Sequence, residues 1–316
     1  MTFATFDALS QRLIELFQNQ EFAAALELVT REGPRFPADR PLADYWRMCA
    51  AARVEQRQLV YQIAEQALAD GLWYGQTLWR ASPSFKPLQG DPAFEQLVTA
   101  SRAAEAAAAT APIMLTHLPA GHSAAPPLLL ALHGNQRTAA ATLPFWQAAV
   151  TAGWALAVPQ STQAMFTGAY VWDDLAQAQA DVQARFAELR ERLTFDAGRV
   201  VLAGHSMGGL IAIQMALTGA LPVRGFVVNG PAVPFLEEPQ ALQAALGPAR
   251  GRGLRGYFIV GAQDDAINVV EIRALADQLR AAGLAVEVET VPEATHDYTP
   301  AYAAALLRGL EFVGAG

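Results

Sequence analysis

The stretch Arg199-Val-Val-Leu-Ala-Gly-His-Ser-Met-Gly-Gly-Leu-Ile-Ala-Ile-Gln-Met-Ala216 constrains this chain more than any other. Its Val-rich apolar run reads as a buried strand that stops at Gly204, turns, and becomes a helical pattern from Met207. The G-x-S-x-G spacing predicts that Ser206 sits on a tight, strained strand-to-helix turn, with its hydroxyl above the sheet edge. Gly204 and Gly208 remove side chains that would collide in such a turn, and Gly209 lets the helix pack closely. The helix start also sets the Met207 amide beside the hydroxyl, where a developing oxyanion needs donors.

A serine hydroxyl needs a base to become a nucleophile at neutral pH. Of the five histidines, His117 and His122 precede the core of the predicted sheet, and His205 lies inside the turn and points away from the reaction. His133 reads as a structural hydrogen-bonding residue. His296 ends the last predicted strand in Val291-Pro-Glu-Ala-Thr-His-Asp-Tyr298 and is the candidate base. An imidazole that becomes charged needs a carboxylate to orient it. The strand at 257–260 ends in Gly261-Ala-Gln-Asp-Asp265, where Asp264 is the first candidate and Asp265 the second. A second oxyanion donor is expected after an early strand, in Leu128-Leu-Leu-Ala-Leu-His-Gly-Asn-Gln136. Asn135 is the first choice there and Gln136 the second.

Apolar runs at 113–118, 128–132, 154–158, 200–203, 226–228, 257–260 and 286–291 alternate with helical patterns from about residue 110 onward. That alternation predicts a mostly parallel sheet with helices on both faces. Residues 1–109 read instead as all-helical, with pairs of helices at 6–17 and 22–29 and at 42–54 and 56–70, and a further helix from Asp91. Asp91 is its expected cap, with Pro92 at the first position. The expected domains are therefore 1–109 and 110–316.

The turn around Ser206, the His133-Gly-Asn135 loop, the aspartate and histidine loops, the 158–161 strand end and Trp172-Asp173 together resemble the α/β-hydrolase superfamily. Within it the chain is similar to the phospholipase/carboxylesterase and dienelactone-hydrolase-like serine esterases. The order Ser, Asp, His matches that superfamily. The resemblance covers residues 110 to the end, and its short His-Gly-Asn loop departs from the His-Gly-Gly-Gly loop of another esterase group. It implies an α/β-hydrolase fold and a serine esterase in which Ser206 attacks, His296 moves the proton, Asp264 orients it, and the Met207 and Asn135 amides hold the oxyanion. The helical third lies outside the resemblance. Its pairing at a repeat of roughly 35–40 residues resembles tetratricopeptide-type arrays, which implies packing, a homodimer contact or a protein partner.

Composition narrows the remaining choices. A net charge of −8 without basic clusters argues against nucleic acid as a partner. The single cysteine, Cys49, excludes an internal disulfide and a thiolate zinc site. No metal or cofactor is expected, and no apolar stretch reaches membrane-spanning length. With no signal-peptide pattern at the start, a cytoplasmic chain acting on a small-molecule ester is expected. Phe166, Tyr170 and Trp172 are candidate walls for the substrate, with 231–236 a second, and Trp73, Tyr74, Trp79 and Phe85 read as docking residues.

Overall fold

The computed structural model describes residues 3–108, 113–121, 125–234, 239–299 and 301–314. His122, Phe235 and Leu236 lie outside the described residues. The chain divides into two compact units, Met1–Thr110 with Ala164–Thr167, and Ala111–Gln163 with Gly168–Gly316.

The larger unit is built on a seven-stranded sheet in the order β1-β3-β2-β6-β7-β8-β9. β2 (Leu128–Leu132), β3 (Ala155–Pro159), β6 (Val200–His205), β7 (Gly225–Asn229), β8 (Arg255–Gly261) and β9 (Ala285–Val291) run parallel. β1 (Met114–His117) pairs antiparallel with β3 at the edge, so the sheet is mostly parallel, as expected. Alternate strand residues face opposite layers. Leu129, Ala131, Val201, Ala203, Val227 and Ile259 pack with Trp146 of α7 (Ala139–Thr151) and Leu306 and Leu310 of α12 (Tyr302–Gly314). Leu128, Leu130, Leu202, Phe226, Val228 and Phe258 face the other layer, formed by α8 (Leu175–Arg192), α9 (Met207–Thr218), α10 (Pro239–Ala249) and α11 (Val269–Ala281). Each fully buried Leu, Val or Phe in these layers contributes about 1.5–3 kcal/mol. Because the strands are parallel, the loops after β2, β6, β7, β8 and β9 open on one sheet edge, where open α/β sheets place their chemistry.

The smaller unit holds α1 (Phe6–Gln18), α2 (Phe22–Glu32), α3 (Arg40–Arg53), α4 (Arg57–Ala69), α5 (Gln76–Ala81) and α6 (Pro92–Ala108). Phe6, Leu9, Leu13 and Leu16 lie on one face of α1, and Thr5 caps it by accepting from the Ala8 amide at 3.2 Å. Asp91 accepts from the Ala93 amide at 2.9 Å, so it caps α6 with Pro92 in the first position. Tyr74, Trp79, Phe85 and Phe94 are buried together, with Trp79 5.4 Å from Phe85 and 5.7 Å from Phe94, centroid to centroid. Tyr74, Trp79 and Phe85, which read as docking residues in sequence, are thus core of this unit. A short strand, β4 (Gln163–Phe166), forms a two-stranded ribbon with β5 (Ala169–Val171). Neither element shows the alternation that marks a strand in sequence. Among the described residues no helix is long and apolar enough to cross a membrane.

Candidate active site

Ser206 stands between β6 and α9 at φ 51° and ψ −121°, a backbone conformation that L-residues rarely adopt. The glycines around it make the turn sterically feasible. A Cβ on Gly204 would lie 2.3 Å from the Gly208 carbonyl carbon, and one on Gly208 would lie 2.3 Å from the His133 carbonyl oxygen. The Ser206 amide donates to the Asn229 carbonyl at 3.1 Å, and its own carbonyl accepts from Ala232 at 3.1 Å. These bonds hold the serine in its strained conformation.

The structure brings Ser206, His296 and Asp264 together. His296 Nε2 is 3.1 Å from Ser206 Oγ, and His296 Nδ1 is 3.0 Å from Asp264 Oδ2. Asp264 Oδ1 accepts from the amides of Ala266 at 2.9 Å and Ile267 at 2.8 Å. Its side chain is 1% exposed. Burial alone would raise its pKa, but the His296 hydrogen bond and the Ile267 and Ala266 amides outweigh burial and hold it below the ordinary carboxyl value. A carboxylate so held accepts the Nδ1 proton, which leaves Nε2 free to accept the proton of the hydroxyl. Asp265, the second candidate, is exposed.

Met207 opens α9, where the first amides have no partner within the helix. The Asn135 side chain ties down its own turn. Its Oδ1 accepts from the Trp172 amide at 2.9 Å, and its Nδ2 donates to Asp173 Oδ1 at 2.7 Å. Gln136 donates its amide to the Tyr170 carbonyl at 2.8 Å, which engages the second-choice oxyanion donor elsewhere.

Two of the three candidate wall residues are placed away from an open surface. Phe166 belongs to the helical unit, 5% exposed, with its ring 6.3 Å from Tyr74. Trp172 is fully buried, donates its indole N–H to the His133 carbonyl at 2.8 Å, and lies 4.8 Å from the His133 ring. Its bulk fills core beneath the His-Gly-Asn turn. Tyr170 stays partly exposed. The sequence reading missed an ion pair between Arg137 and Asp297, 2.9 Å, which joins the Asn135 turn to the His296 loop. Nothing in sequence signals a pair so distant along the chain.

His133 and His205 are buried, and burial pushes both from 6.5 down to about 4; for His205 the neighbouring His296 adds to the effect. His133 Nε2 faces the Gln160 Nε2 at 2.9 Å and the Ser161 amide at 3.1 Å, so it accepts, and Nδ1 donates to the Gly134 carbonyl at 2.8 Å. In the unfolded chain both imidazoles protonate near their ordinary value, whereas the folded protein keeps them neutral to lower pH. Stability from this source is therefore complete above pH 6.5 and is lost as the pH falls toward 4. At pH 5 the loss is about 2 kcal/mol for each histidine. Denaturant midpoints at pH 7 and pH 5 check this, and equal midpoints would contradict it.

The fold and this arrangement define a class. A model of the alpha/beta hydrolase family matches residues 129–306, more than half of the chain, and the chain belongs to that family. In structure the chain is similar to an uncharacterized protein from Bacillus cereus ATCC 10987 at 21% identity and a TM-score of 0.54, covering 99% of both chains. That likeness extends through the N-terminal helices. It is also similar to Est1E from Butyrivibrio proteoclasticus, solved with ferulic acid bound, at 15% identity and a TM-score of 0.52, covering 64% of this chain and 93% of that one. The Bacillus cereus carboxylesterase is similar at 18% identity and a TM-score of 0.50, covering 64% and 94%. At these identities the likeness is one of fold. No protein of curated function matches the sequence.

Proposed function

We propose that this alpha/beta hydrolase is a serine esterase that cleaves carboxylic esters of small molecules through an acyl-enzyme. The reading rests on one observation above all: the strained Ser206 hydroxyl lies 3.1 Å from an imidazole whose other nitrogen is 3.0 Å from the buried Asp264 carboxylate. Ser206 Oγ attacks the ester carbonyl as His296 takes its proton. The Met207 and Asn135 amides receive the oxyanion, and His296 returns the proton to the departing alcohol. Water activated by the same imidazole then releases the acid. Asp264 stays ionised throughout and keeps the imidazole in the useful tautomer. In this reading residues 110–316 form the catalytic domain, residues 1–109 a tetratricopeptide-like helical domain, and Tyr170 borders the substrate.

The ester preference is supported by the fold neighbours, which include a carboxylesterase and the ferulate-bound Est1E. A panel of p-nitrophenyl esters, a matching p-nitroanilide, a thioester and a lactone tests it. The esters are expected to be turned over fastest, with kcat/KM at least about 100-fold above the anilide, a difference of roughly 3 kcal/mol in transition-state stabilisation. Faster turnover of the thioester, lactone or anilide would move the reading to that bond. Inertness toward all of them would favour a non-catalytic scaffold.

A further inference from the structure

The chain around His296 is fastened on both sides, by different means. Before it, the Gln263 amide donates to the Ala294 carbonyl at 3.0 Å and the Ala262 amide to the Val291 carbonyl at 2.9 Å, which ties the approach to the loop that carries Asp264. After it, the Tyr298 ring stacks on Phe145 of α7 with centroids 4.0 Å apart. It also lies 4.8 Å from the His205 ring, which is itself 4.9 Å from His296. Asp297 stands between the base and this aromatic anchor, and both of its carboxylate oxygens are engaged. Oδ1 accepts from the Tyr298 amide at 2.8 Å, and Oδ2 accepts from Arg137 Nη2 at 2.9 Å.

Arg137 comes from the opposite side of the site, directly after His133-Gly-Asn-Gln136. Its backbone is held there. The Gln136 amide donates to the Tyr170 carbonyl at 2.8 Å, Arg137 and Tyr170 form an antiparallel bridge, and both polar atoms of the Asn135 side chain are bonded to Trp172 and Asp173. The guanidinium thus starts from a fixed turn and reaches a carboxylate one residue beyond the base. All of these residues belong to the larger unit. The side chains of Arg137 and Asp297 are 35% and 42% exposed, so water screens their attraction and the pair adds little to stability. Its effect on geometry is the larger one, since a misplacement of about 1 Å at a reacting centre costs about 100-fold in rate.

We propose that Arg137 is a positioning residue: by holding the Asp297 carboxylate, it fixes the direction in which the chain leaves His296 and so sets the imidazole against Ser206 and the oxyanion turn. This rests on the esterase reading given above. Two variants break the clamp from opposite sides. Arg137→Met keeps a long apolar stem and removes the guanidinium. Asp297→Asn keeps an oxygen for the Tyr298 amide and sets an amide donor opposite the guanidinium.

Each variant is expected to lower kcat for p-nitrophenyl acetate by about 10- to 100-fold. KM should stay within about twofold, as when an interaction of the transition state alone is lost. The double variant should lose no more than the worse single one, because both remove the same contact. Arg137→Lys, which restores the charge, should recover most of the rate. The two single substitutions change the local charge in opposite directions. A purely electrostatic action on the imidazole would therefore shift their pH–rate profiles in opposite directions, whereas lost positioning lowers the plateau of both. Hydrogen exchange read by mass spectrometry should quicken in the peptide covering residues 293–299 in Arg137→Met and not in Arg137→Lys. That readout does not depend on turnover, so a wild type inert toward esters would defeat the esterase reading and leave the clamp still decided by exchange. Unchanged exchange in Arg137→Met overturns the proposal. So do, in an active enzyme, an unchanged kcat or opposite pH shifts with the plateau intact.

Discussion

Replacing Ser206 by alanine is expected to lower kcat for p-nitrophenyl esters by about 10⁴- to 10⁶-fold, the range for loss of a nucleophile from a serine hydrolase site. The substitution deletes one oxygen. It leaves the positive φ of residue 206, the Asn229 and Ala232 backbone bonds and the Asp264–His296 pair in place. Thermal stability should therefore change by no more than about 0.5 kcal/mol, because alanine inherits the same backbone strain that serine bears. The two readouts have to be taken together. A large loss of activity with an unchanged melting temperature assigns the oxygen to chemistry; retention of half the rate would place the reaction elsewhere in the molecule.

The second large effect is one of stability. Gly208→Ala would put a methyl carbon 2.3 Å from the His133 carbonyl oxygen and 2.7 Å from that of Leu132. Both belong to the chain leaving β2, whose Leu132 pairs with Gly204, so neither has a flexible end that can swing aside. Accommodating the methyl requires α9 to retreat from the sheet or the His-Gly-Asn turn to shift. We expect a cost of at least about 3 kcal/mol. For a unit of this size that lowers the melting temperature by roughly 10 °C. A calorimetric scan decides it, and an unchanged transition would mean that the turn is looser than these distances allow. The contrast with Ser206→Ala is instructive: two neighbouring positions differ because one carries chemistry and the other carries close packing.

Those two positions also mark what is legible in the sequence alone. The hydrolase fold follows from short apolar runs alternating with helical periods, since a strand buried on both faces must be apolar along its length. Ser206, Asp264 and His296 were each legible as the polar residue just beyond the end of such a run. Other features left no local trace. β4 pairs with β5 and Phe166 bridges to Tyr74, so its strand character comes from its partners and not from its own alternation. Trp172 and Phe166 read as wall residues because aromatic type does not reveal direction; hydrogen bonding to His133 turns Trp172 into the core, and contact with Tyr74 buries Phe166. The Arg137–Asp297 pair joins loops far apart along the chain and is visible only in three dimensions. The paired helices before residue 109 were legible individually, and what they do was not. Periodicity reports which face is buried, without saying against what.

The central claim is that a hydroxyl at position 206 is made nucleophilic by His296. Incubation with a fluorophosphonate, followed by intact-mass measurement of the protein and of Ser206→Ala and His296→Ala, tests it most directly. The account predicts one adduct on the wild type, located on the peptide carrying Ser206, none on Ser206→Ala and only slow labelling of His296→Ala. An unlabelled wild type, or an adduct that survives the loss of Ser206, would contradict it.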